Sequence, residues 1–111
     1  MSAVTMQSEN TELRITVGVK LTAADVPAIQ TQLKQEISSG VRNMVFDMKE
    51  TASLDSTGIG LLVAANNSLT AAKGSLRIVN VSSDIFKLLQ SMRLAGRLNA
   101  STEDREVQHG R

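Results

Sequence analysis

The stretch Leu54-Asp55-Ser56-Thr57-Gly58-Ile59-Gly60 constrains this chain more than any other. It follows the apolar, strand-like run Met44-Val45-Phe46 and leads into the apolar, helix-like run Leu61-Leu62-Val63-Ala64-Ala65. A hydroxyl therefore sits at a strand-to-helix turn beside a carboxylate, where the N–H groups of a starting helix point outward. Such a position stabilises an anion, and a serine there is a candidate for reversible phosphorylation. The same residues have a plainer reading. Asp, Ser and Thr are the preferred N-caps of helices, and spacing alone favours a simple cap.

The 111 residues are enough for one compact domain. A hydrophobic content of 41% lies in the globular range. The net charge of +1 gives no electrostatic footprint for nucleic acid or anionic lipid. Cys is absent and His109 is the one histidine, which argues against disulfides, Cys-based zinc and a Ser-His triad. Aromatic residues, Phe46 and Phe86, make up 2%, so the core must be aliphatic and stacking platforms for bases or sugars are missing. No apolar stretch approaches the roughly 20 residues of a membrane span. Residues 1–10 lack the basic and apolar regions of a signal peptide. The expectation is a cytoplasmic protein with no nucleic-acid or membrane partner.

Val4 and Met6 alternate with Thr5 and Gln7, and Leu13, Ile15, Val17 and Val19 alternate with Arg14, Thr16 and Gly18. This period of two predicts two strands, and the polar Glu9-Asn10-Thr11-Glu12 between them predicts an antiparallel hairpin. Thr22-Ala23-Ala24-Asp25 supplies capping residues, with Pro27 in the first turn of a helix that places Val26, Ile29, Leu33 and Ile37 on one face. Ser38-Ser39-Gly40 ends it. Residues 41–48 read as a buried strand and 49–53 as a loop. A second helix is expected over about 56–72, closed by Lys73-Gly74. Leu76, Ile78, Val79 and Val81 mark another strand. Ser82-Ser83-Asp84 caps a third helix carrying Ile85, Leu88, Leu89 and Met92 on its apolar face. Gly96 is expected to break that helix and Leu98 to anchor a short last strand. Residues 101–111 are polar and are expected to form a terminal helical turn or to fray.

These elements predict an α/β fold in one domain over residues 1–100, followed by a polar tail over 101–111. An N-terminal hairpin feeds three strand-helix-strand crossovers, so the sheet is mixed and mostly parallel.

Several catalytic readings fail on spacing. Gly58-Ile59-Gly60 opens like a dinucleotide fingerprint, but Val63 stands where the third Gly belongs. Lys73-Gly74-Ser75 has the wrong order for a P-loop and ends a helix. Asp47, Glu50 and Asp55 lie near one another and would suit a pocket, a metal or a solvated rim; no His, Cys or Tyr completes a catalytic set. The second helix is unusual. Ile59, Leu62, Val63 and Leu69 form its core face, Asn66 interrupts that face, and Leu61, Ala64 and Ala65 make the other side apolar too. Burial by neighbouring helices and a partner surface beside Ser56 both account for this, the former slightly better.

Together these features resemble a STAS domain of the anti-sigma factor antagonist type over about residues 4–100. The most specific match is Phe46-Asp47, a loop, and then Leu54-Asp55-Ser56-Thr57-Gly58-Ile59-Gly60, similar to the family's Asp-Ser-Ser/Thr-Gly at the head of its second helix. Thr22-Ala23-Ala24-Asp25-Val26-Pro27-Ala28-Ile29 resembles the start of the family's first helix, Pro included. Leu76-Arg77-Ile78-Val79-Asn80-Val81-Ser82 is similar to its strand exit. The resemblance implies a STAS-like mixed sheet and a binding protein instead of an enzyme, with no cofactor. It implies Ser56 as the residue phosphorylated by an anti-sigma factor serine kinase of the histidine-kinase-ATPase type. It implies a PP2C-type, metal-dependent serine phosphatase that resets the switch. Asp55, Thr57, Gly58, Ile59, Leu61, Leu62 and Thr22 are the implied partner-binding residues. The family often has Gly-Glu-Leu-Asp where this chain has Val19-Lys20-Leu21-Thr22, so Thr22 replaces an acidic residue near the acceptor. Two other readings stay open: a non-switching STAS module in a larger assembly, as in transporters or stressosomes, and a small enzyme or anion-binding domain using Asp47 and Asp55.

Overall fold

The computed structural model describes residues 4–9 and 12–104. Alternation of apolar and polar residues builds the hairpin. β1 (Val4–Glu9) pairs antiparallel with β2 (Glu12–Val17), from Val4 opposite Val17 to Glu9 opposite Glu12. Asn10 and Thr11, in the expected turn, lie outside the described residues, as do 105–111 of the polar tail, His109 among them. Beside β2 runs β4 (Asn43–Asp47) in parallel, and beside β4 runs β6 (Ser75–Val79), giving the order β1-β2-β4-β6. α1 (Val26–Ser38) connects β2 to β4 across the sheet, and α2 (Ser56–Ala71) connects β4 to β6. α3 (Ser83–Ser91) follows. The mixed, mostly parallel α/β fold is therefore as the element order predicts.

The core forms where one face of the sheet meets the helices. Leu13, Ile15 and Val17 of β2, Met44 and Phe46 of β4, and Leu76 and Ile78 of β6 are buried there against Leu33, Leu62, Leu69 and Leu89. α2 packs against both α1 and the sheet, so Leu61 and Ala65 are buried along with Leu62 and Leu69. Two-sided burial accounts for its all-round apolar character.

Several local expectations are corrected. Val19 does not continue the inward face of β2: the strand stops at Val17, and Val19 is 58% exposed. Its contribution is its carbonyl, which accepts the N–H groups of Ala52 and Ser53. Part of the expected 49–53 loop is a strand, because β5 (Ser53–Leu54) pairs in parallel with β3 (Lys20–Leu21) in a second small sheet. Two-residue strands carry no periodicity, so only the chain's path reveals them. After α2 the left-handed residue is Lys73 (φ 65°), not Gly74. Gly74 is needed for another reason: the Arg42 carbonyl oxygen occupies the place a β-carbon would take. α3 ends at Ser91, with Arg93 at φ 61°, well before Gly96. On its face Ile85 and Leu89 are buried, whereas Leu88 and Met92 are exposed. The expected last strand reduces to one parallel bridge between Ile78 and Ala100. Helix-like bonds from Leu98 N–H to Leu94 and from Ala100 N–H to Ala95 keep that segment from extending, although Leu98 is fully buried.

Candidate functional site

The small β3–β5 sheet positions the site. Lys20 pairs with Ser53 and Leu21 with Leu54, and the Asp55 N–H reaches the Leu21 carbonyl at 3.5 Å. This register brings the turn 22–25, which leads into α1, alongside the first residues of α2. Gly58 permits the approach. A β-carbon there would lie 2.7 Å from the Leu21 carbonyl oxygen and 2.9 Å from a Leu54 methyl.

Asp55 is the N-cap of α2, in an extended conformation (φ −93°, ψ 178°). Its Oδ1 accepts the Gly58 N–H at 2.9 Å, which satisfies a donor left free by the helix start. Its Oδ2 accepts the Ala23 N–H at 3.3 Å. One carboxylate thus spans the head of α2 and the turn before α1. Within that turn Asp25 N–H donates to the Thr22 carbonyl at 2.9 Å, and the Thr22 N–H and hydroxyl both donate to Asp25 Oδ2 at 3.3 Å. Asp25 occupies the N-cap position of α1, yet its side chain makes no cap bond there, contrary to the expectation. It turns back to Thr22 instead.

Ser56 and Thr57 are the first two residues of α2, and both are exposed. Their hydroxyl and backbone N–H groups make no hydrogen bond among the described residues. The capping role falls to Asp55, so the Ser56 hydroxyl remains free beside two outward-pointing N–H donors.

The residues that the resemblance implies, Ser56 for phosphorylation and the others for partner contact, divide into two sets. Asp55, Ser56 and Thr57 are exposed and Thr22 is half-buried. Gly58, Ile59, Leu61 and Leu62 are buried; Leu61 and Leu62 retain 2% and 0% exposure. Leu61 and Leu62 belong to the core, because α2 is covered by the sheet on one side and α1 on the other. Their side chains do not form the surface beside Ser56. Two features of this surface were not singled out from the sequence. The Ala23 N–H is a backbone group with no side-chain signature. Gly60 is exposed one turn along α2 from Ser56, and its i, i+4 spacing would have found it.

Asp47, Glu50 and Asp55 do not converge. Asp47 is buried, and its carboxylate is fully engaged: Oδ2 accepts from Arg14 at 2.9 Å, and Oδ1 accepts from the Lys49 N–H and Asn80 Nδ2 at 3.0 Å each. Burial pushes its pKa up, but the bonds from Asn80, the Lys49 N–H and Arg14 outweigh this and hold it below the ordinary carboxylate value. Arg14 also pairs with Asp104 at 2.6 Å. Burial lowers the Arg14 pKa, and the two carboxylates, Asp104 first, more than reverse that. Asp47 thereby fastens β2, β4 and the segment before α3, a structural duty. Among the described residues no three His, Cys, Asp or Glu gather to hold a metal ion, and no helix is long and apolar enough to cross a membrane.

A family model described as the STAS domain matches residues 3–106. No curated protein matches the chain. Among solved structures, the anti-sigma factor antagonist SpoIIAA in its unphosphorylated form superposes with a TM-score of 0.82 at 21% identity, covering 94% of this chain and 90% of that one. The phosphorylated form of SpoIIAA, described as a Bacillus cell fate determinant, gives 0.78 at 20% identity, covering 94% and 93%. An anti-sigma-factor antagonist (STAS) domain protein from Planctomyces limnophilus gives 0.76 at 15% identity, covering 95% and 92%. At these identities the structures establish a shared fold.

Proposed function

The chain belongs to the STAS domain family, and from that premise we propose that it is a phosphorylation-controlled, partner-switching regulator with Ser56 as its acceptor. The observation that carries this reading is the Ser56 hydroxyl. It is exposed and unbonded at the head of a helix whose cap Asp55 already provides. In the unphosphorylated state the protein binds an anti-sigma-type serine kinase of the histidine-kinase-ATPase class and releases that kinase's other client. The kinase transfers the γ-phosphoryl group of ATP to Ser56 Oγ; the hydroxyl proton is lost and ADP leaves. A PP2C-type serine phosphatase hydrolyses the ester and restores the hydroxyl.

The physical logic is local. A phosphate adds roughly −1.5 to −2 charges at neutral pH. The free N–H groups of Ser56 and Thr57 and the positive end of the α2 dipole stabilise that charge within the folded domain. A partner surface docked over the same residues would have to desolvate it, which disfavours binding. A fold found in both an unphosphorylated and a phosphorylated SpoIIAA supports a switch that leaves the domain intact.

Tandem mass spectrometry of the protein purified from its own host, during growth and under stress, tests the reading. A phosphoryl group on Ser56 whose occupancy changes with condition is the expected result. Absence of the modification under all conditions would leave the non-switching module as the better account.

A further inference from the structure

We propose that Asp55 is a positioning residue that holds the turn 22–25 against the acceptor, and that phosphorylation of Ser56 releases this turn. The inference rests on the proposed role of Ser56 and describes how that same site is regulated. The two oxygens of Asp55 are unequally engaged. Oδ1 receives the Gly58 N–H at 2.9 Å in a part-buried bond, whereas Oδ2 receives the Ala23 N–H at 3.3 Å in an exposed one. The second bond is the longer and wetter, so it yields first when the carboxylate is disturbed.

Phosphorylation disturbs it directly. The Ser56 O–H bond is replaced by an O–P bond from ATP, with ADP and a proton released, and a phosphate of roughly −2 charge then neighbours the Asp55 carboxylate in sequence. Two anions at one helix start repel one another. The Gly58 bond is anchored by helix geometry, so the Ala23 bond gives way. The turn itself persists, because Asp25 closes it on Thr22 independently of Asp55. Its attachment to α2 through Asp55 is what is lost. A partner that reads Ser56 and the turn 22–25 together then meets a new charge and a displaced second contact at once.

The test needs no kinase. Phosphoserine is installed at position 56 by genetic-code expansion, and amide hydrogen exchange is followed by NMR in the full chain. The Ala23 amide is expected to exchange about fivefold faster in the phosphorylated protein, the protection that a hydrogen bond of ordinary net worth gives, while the Gly58 amide is unchanged. Asp55→Ser retains a capping oxygen for α2 but is too short to span to Ala23. It is expected to show the fast Ala23 exchange without phosphate and no further increase with it. Unchanged Ala23 exchange on phosphorylation of the wild-type chain would overturn the proposal, as would an equal increase in the Asp55→Ser background. Either result leaves the host phosphorylation of Ser56 untouched, and failure to find that phosphorylation leaves this measurement standing.

Discussion

The Leu21 carbonyl oxygen lies 2.7 Å from where a β-carbon on residue 58 would sit, so Gly58 is the residue that lets β3 reach the head of α2. Gly60, two positions on, has nothing within 4 Å of the same point. The pair makes a controlled comparison. Gly60→Ala is expected to stabilise the protein by up to about 1 kcal/mol through helix propensity. Gly58→Ala gains the same propensity but forces β3 and Leu54 aside, which costs about 1–3 kcal/mol, so its net effect is destabilising. Urea unfolding of both variants measures the difference; equal stabilisation would show that the approach of β3 does not matter.

Asp47 should govern part of the acid sensitivity. Its folded pKa is lowered, so its contribution is present above the ordinary carboxylate value and is lost as pH falls through the depressed folded value. Wild-type stability is expected to decline as pH falls through the ordinary carboxylate range and below it. Asp47→Asn should be less stable at neutral pH and show a shallower decline. Denaturant melts across that range check this, and parallel curves for the two proteins would assign the acid sensitivity elsewhere.

A charge placed on α2 has opposite consequences at neighbouring positions. Leu61 is 2% exposed, so Leu61→Glu buries an unpaired carboxylate and also forfeits the roughly 2–5 kcal/mol that a buried Leu contributes. That is a large part of the total stability of about 5–15 kcal/mol. Loss of cooperative unfolding, followed by circular dichroism, is the expected result. Gly60→Glu places the same charge in open space, one turn from Ser56, and should fold normally while weakening partner binding.

Ser56 itself should be dispensable for folding. Because Asp55 supplies the cap, Ser56→Ala is expected to change stability by no more than about 0.5 kcal/mol in thermal or urea unfolding. It should bind the partner kinase constitutively. Ser56→Asp should bind at least about tenfold more weakly, a difference of roughly 1.4 kcal/mol, with a smaller loss than phosphoserine because it carries less charge. Calorimetric titration resolves these affinities. Equal binding by wild type, Ser56→Asp and phosphorylated protein would remove the switch.

The mixed α/β topology, the helices α1, α2 and α3 and the place of Ser56 at the start of α2 were legible in the sequence. Alternation at Leu13, Ile15 and Val17 and the helical spacing of Val26, Ile29 and Leu33 are each fixed by which residues must leave water. The hydroxyl of Ser56 was legible because helix starts have a strong side-chain code. Tertiary structure alone decided which apolar residues of α2 are core. The apolar second side of α2 was visible in the sequence and suited either neighbouring helices or a partner surface; α1 decides between them by covering Leu61 and Ala65. Tertiary structure also decided that Asp47 is spent on Arg14, Lys49 and Asn80, while Asp55 joins Gly58 to Ala23. Carboxylates close in sequence look alike until their distant partners, the Arg14 and Asn80 side chains for Asp47 and the Ala23 N–H for Asp55, are brought to them by the path of the chain.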